Sequence, residues 1–161
     1  MTMMSTELES PAFKLLLSCC CLKPSDWAKS IRDAALDTGV DFKELLDLAD
    51  RHRISPLVYL QLKGDSRIDQ HVLLILKERF EVNRLQALGL KGKEQWLAAE
   101  LSSRNINFVF LKGVQLAEKY YGDLACRHVF DLDVLVQETC LPVVNQIMVE
   151  KGYVSNPDLF H

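Results

Sequence analysis

Between Phe108 and Val136 the chain runs FVFLKGVQLAEKYYGDLACRHVFDLDVLV, the stretch that most restricts what it can fold into. Its apolar start, Phe108 to Leu111, predicts a strand, and Lys112-Gly113 predicts a turn. A short helix is expected from Val114 to Tyr121, then a loop carrying Arg127, then a second strand from about Val129 to Val136. That strand would contain Asp131 and Asp133. Strand side chains alternate faces with a period of two, so the two carboxylates are expected on one face. Neighbouring carboxylates repel, and burying them unpaired would cost several kcal/mol. A divalent cation removes both problems, and an all-oxygen donor pair suits Mg²⁺ or Mn²⁺. The competing reading is a polar strand face turned to solvent.

The hundred residues before this stretch read as helices. Ser10-Pro11 is a helix start, with Ser as N-cap and Pro in the first turn, for a helix reaching about Leu22. Ser25 or Asp26 caps the next, which ends at Gly39. Asp41-x-x-Glu44 resembles a capping box for a helix to about His52, and Ser55-Pro56 opens another through Leu62. From Asp69 to Arg104 apolar residues recur every three or four positions, which reads as one helix, or as two if Gly89 or Gly92 breaks it. After the second strand, Leu141 to Lys151 reads as a helix stopped by Gly152, and Tyr153-Val154 would begin a third strand. The expected domains are residues 1–104, helical, and 105–161, the first part of an α/β core.

Composition narrows the function classes. At 161 residues and a net charge of −3 the chain shows no basic stripe, which argues against nucleic acid as a partner. Cys19, Cys20 and Cys21 are consecutive, so a regular helix points them about 100° apart and away from any common metal. They read as reduced, mostly buried thiols of a cytoplasmic protein. The apolar run Leu15 to Leu22 is too short to span a bilayer.

Leu111-Lys112-Gly113, Tyr121, Arg127 and Asp131-Leu132-Asp133-Val134-Leu135-Val136 together resemble the uncharacterised bacterial nucleotidyltransferases, within the polymerase-beta-type superfamily. Tyr121 lies eight residues after Gly113, and Asp131 four after Arg127, as in that pattern. The resemblance implies an α+β fold: an N-terminal helical bundle packed on a minimal nucleotidyltransferase sheet, incomplete at the C-terminus. It implies a metal-dependent enzyme that transfers a nucleoside monophosphate from an NTP to a small-molecule or protein acceptor. Asp131 and Asp133 would be the catalytic pair and hold Mg²⁺ (or Mn²⁺). Lys112, Gly113 and Arg127 would bind the nucleotide. Gly113 stands where backbone N–H groups meet a phosphate at a helix start. Lys112 would add charge or merely be solvated, and Arg127 would pair with phosphate or make a structural ion pair. Tyr121 reads as a core or hinge aromatic and His128 as a loop histidine.

Three departures accompany the resemblance. Val114 follows Gly113 where the superfamily usually has Ser or Gly, His128 follows Arg127 where the nearer family often has Pro, and no late acid, neither Glu150 nor Asp158, is a convincing third carboxylate. The rival reading is therefore a non-catalytic nucleotide- or partner-binding protein of this fold, self-associating through an open sheet edge. A purely helical scaffold with an incidental Asp-x-Asp is the third reading.

Overall fold

The computed structural model describes residues 10–156, which are mostly helical with one small sheet, the α+β organisation expected. Local chemistry sets the helix starts. Helix α1 (Pro11–Ser18) begins where the Ser10 hydroxyl accepts from the Phe13 N–H at 3.1 Å. Ser25 does the same for Ala28 at the head of α2 (Asp26–Thr38). Asp41 accepts from the N–H groups of Lys43 and Glu44 to open α3 (Phe42–Arg51). Each such cap satisfies a donor that the helix leaves without a partner, worth about 1 kcal/mol. α4 (Ser55–Leu62) follows directly. α1 stops at Ser18, short of the expected Leu22. There the Ser18 hydroxyl bonds back to the Leu15 carbonyl at 2.7 Å, and the Cys19 and Cys20 N–H groups tighten to Leu16 and Leu17. Of the three consecutive cysteines only Cys19 is buried, and Cys20 and Cys21 are exposed, which corrects the expectation of mostly buried thiols.

Two compact units form. Among the described residues, the first comprises 10–88 together with Val114–Val129, and the second Gly89–Gly113 together with 130–156. In the first, Leu15, Leu16, Leu45, Leu48, Val58, Leu62 and Leu76 make a fully buried core. Each such leucine contributes about 1.5–3 kcal/mol by leaving water.

α5 (Gln70–Ser103) is a single helix of 34 residues, so Gly89 and Gly92 do not break it. Two glycines cost such a helix about 1 kcal/mol each. Its apolar residues are buried on both sides of them, with Val72 and Leu76 in one core and Leu97 and Leu101 in the other. Packing, rather than propensity, sustains it. It ends in a left-handed cap: Asn105 takes φ 54°, and the Ile106 N–H reaches the Leu101 carbonyl at 3.0 Å.

In the second unit β1 (Phe108–Leu111) pairs antiparallel with β2 (Asp133–Val136), from Phe108↔Val136 to Leu111↔Asp133. Two strands alone are marginal. Here Phe108, Phe110, Val134 and Val136 all pack against Leu97, Leu101, Ile106, Val144 and Ile147. The last two come from α7 (Leu141–Glu150), closed by Gly152 at φ 93°. The opposite sheet face carries Val109, Leu111 and Leu135, of which Val109 and Leu135 are 57% and 58% exposed.

β2 is half the expected length. Its partner ends at Leu111, because Lys112 and Gly113 take φ values of 61° and 73° and turn the chain into α6 (Gly113–Tyr121). With no ladder partner beyond Leu111, residues 129–132 stay outside the sheet. Tyr153 and Val154 form no strand either. No helix among the described residues is long and apolar enough to cross a membrane.

Candidate functional site

The Lys112-Gly113 turn lies at the end of β1, and the register sets Asp133, the first residue of β2, opposite Leu111. Lys112 can therefore reach across, and its Nζ donates to Asp133 Oδ2 at 2.9 Å. Both side chains are partly exposed, so the pair adds little stability, on the order of 0–1 kcal/mol. Its interest is chemical: an ammonium stands against one of the two carboxylates expected to hold a cation. Lys112 also occupies the left-handed region, uncommon for a residue with a Cβ. Gly113, also at positive φ, has no atom within 4 Å of where a Cβ would sit.

Asp131 lies before β2, and strand alternation does not place it. It is exposed and lines a cavity of about 240 Å³ with Phe130, Leu132, Val134, Lys93 and Tyr153 among the walls. Four of the five expected site residues, Lys112, Gly113, Asp131 and Asp133, thus belong to the second unit, and Arg127 belongs to the first.

Arg127 follows the short turn Leu124–Cys126. Its backbone is held by a residue that pattern reading did not single out. Asn83 of α5, 1% exposed, donates from Nδ2 to the Ala125 carbonyl at 2.6 Å and the Arg127 carbonyl at 3.2 Å. A lone Asn within a helical pattern carries no signal of that role. Beside it, burial pushes the His128 imidazole below its ordinary value of 6.5; Asp50 opposes this and Arg53 adds to it. Tyr121 closes α6, half-buried. Glu150, at the end of α7, accepts from Gln146 Nε2 at 2.8 Å, and Asp158 lies outside the described residues.

The donor chemistry fits a hard divalent cation. Asp131 and Asp133 supply carboxylate oxygens only, and a metal ion at Asp133 would have to displace the Lys112 ammonium or share the carboxylate with it. No group of three or more His, Cys, Asp or Glu side chains able to hold a metal occurs among the described residues. A cation held here would therefore rely on these two aspartates plus water and substrate oxygens, the usual arrangement for Mg²⁺ with phosphates.

Compared with known proteins, residues 38–159 match the model of a family described as uncharacterised nucleotidyltransferase. No curated protein and no solved structure matches the chain.

Proposed function

The chain belongs to the uncharacterised nucleotidyltransferase family, and from that premise we propose that it transfers a nucleoside monophosphate from an NTP to a hydroxyl of a small molecule or protein, using a divalent cation. The observation that carries this reading is the Lys112–Asp133 pair at the mouth of the glycine turn, within the matched segment. Asp131 and Asp133 would hold Mg²⁺ or Mn²⁺, which when bound neutralises triphosphate charge. The Gly113 backbone and the Lys112 ammonium would receive phosphate oxygens. The acceptor oxygen attacks the α-phosphorus, the bond to the β-phosphate oxygen breaks, and pyrophosphate leaves with that electron pair. The acceptor proton passes to solvent. The protein supplies position and charge rather than covalent chemistry. Arg127 takes its phosphate-binding assignment from the family pattern alone. The cytoplasm, where nucleoside triphosphates are abundant, is the compartment this reading requires.

Calorimetric titration of ATP, GTP, CTP and UTP, with and without Mg²⁺, tests the reading. Binding of at least one nucleotide is expected to need Mg²⁺ and to disappear in the double variant Asp131→Asn, Asp133→Asn. Equal affinity in that variant would overturn the metal site.

A second reading is favoured by the outer sheet face, where Val109, Leu111 and Leu135 stay exposed. Apolar side chains gathered on one exposed face mark an association surface. Self-association there would appear as a concentration-dependent mass in light scattering, lost in Val109→Lys. A monomer at all concentrations removes it.

A further inference from the structure

In the second unit the stripe Gly89, Gly92, Lys93 and Trp96, spaced i, i+3, i+4 and i+7, occupies one face of α5. It forms one wall of a groove of about 480 Å³, and Lys151 and Tyr153 stand on the other. Lys151 Nζ lies 5.0 Å from the centre of the Trp96 ring, a cation–π contact that keeps the ammonium at the groove. The Tyr153 backbone is held by its N–H bond to the Met148 carbonyl at 2.9 Å. The lining holds two cations, two aromatic rings and no acid. Both helical glycines have open space where a Cβ would be, so packing does not require them. Their effect is to leave the groove floor as bare backbone. Lys93 and Tyr153 also line the cavity that contains Asp131, which makes the two hollows neighbours.

We infer that this groove binds a phosphorylated ring compound, with the phosphate between Lys93 and Lys151 and the ring against Trp96 and Tyr153. Charge complementarity selects an anion, and the aromatic walls with a side-chain-free floor select a flat or slender body over a bare ion. The inference rests on the nucleotidyltransferase reading only for the source of that compound. The ring and phosphate belong either to the donor nucleotide or to a sugar-phosphate acceptor, and Asp131 lies next door in both cases.

Trp96 itself reports on occupancy. The chain has two tryptophans, and Trp27, 65% exposed, is replaced (Trp27→Phe) so that Trp96 alone emits. Ribose 5-phosphate, ATP with Mg²⁺, and inorganic phosphate are titrated in turn. A saturable emission change is expected with ribose 5-phosphate, ATP or both. It should weaken about tenfold in Lys93→Gln with Lys151→Gln, since each charged contact contributes to phosphate binding. Gly92→Leu should weaken it similarly by occupying the floor. The new Cβ meets no atom within 4 Å and helix propensity improves, so an unchanged or raised melting temperature is expected. A response to ribose 5-phosphate alone identifies the acceptor, and one to ATP alone the donor. No saturable response to either compound overturns the inference. So does an equal response to inorganic phosphate, or a response untouched by both sets of substitutions. A ribose 5-phosphate response without Mg²⁺-dependent ATP binding leaves the groove standing while the transferase reading falls. Mg²⁺-dependent ATP binding that ignores Gly92→Leu, with silence from ribose 5-phosphate, does the reverse.

Discussion

Asn83 is a buried amide with both N–H donors committed to backbone carbonyls of the segment that carries Arg127. Its Oδ1 has no hydrogen-bond partner. Asn83→Ala leaves the Ala125 and Arg127 carbonyls without that donor, and a loss of about 2–3 kcal/mol is expected. Asn83→Asp is expected to be worse than alanine, because an acceptor-only carboxylate would then face two carbonyl oxygens. Urea unfolding of the two variants beside the parent chain checks the order, and an aspartate variant as stable as the alanine one contradicts it. At this scale the sequence was partly legible. The pattern singles out Lys112, Gly113, Asp131 and Asp133 as candidates, but the Lys112–Asp133 contact depends on a strand register that only the fold reveals. Asn83 was illegible, because its importance lies in carbonyls more than forty positions away.

Among the elements, capped helix ends were the most readable features, and for a physical reason. A cap is a bond between near neighbours, so Ser10, Ser25, Asp41 and Gly152 announce themselves. Strand length is instead a property of two segments at once. The apolar run before Val136 reads as a long strand until β1 proves to end at Leu111. Gly89 and Gly92 leave the number of helices open in the sequence, since their propensity argues for a break and packing on either side argues against it. That balance gives a prediction. Gly89→Ala with Gly92→Ala adds no clash, because neither position has an atom within 4 Å of the new Cβ. The double variant is expected to gain about 1–2 kcal/mol from helix propensity. A lower melting temperature would mean that the bare backbone there serves the fold.

For the molecule as a whole, acid stability should be governed first by His128, whose folded value is depressed by burial. Above its ordinary value of 6.5 neither the folded nor the unfolded state carries the proton, and the full stability is present. As pH falls through that value the unfolded chain takes up a proton that the folded chain resists. Stability then declines until the folded value is passed. Asp65, held below its ordinary 3.8 by its hydrogen bond to Arg67, loses its contribution only in a more acidic window. Urea midpoints at pH 7.5 and 5.5 are expected to differ, and His128→Gln should shrink the difference. Equal shrinkage from His71→Gln, at an exposed position, would remove His128 as the cause.

Lys112 closes the same account from another side. An L-residue at φ 61° bears a conformational penalty of about 1 kcal/mol that glycine would not. Folding alone would thus be easier with no side chain at this position, while the bond to Asp133 needs a long cationic one. The turn thus sets backbone ease against the contact to Asp133. A search for more stable variants of this chain would be drawn to position 112 early, and the gain there would come with the loss of the ammonium.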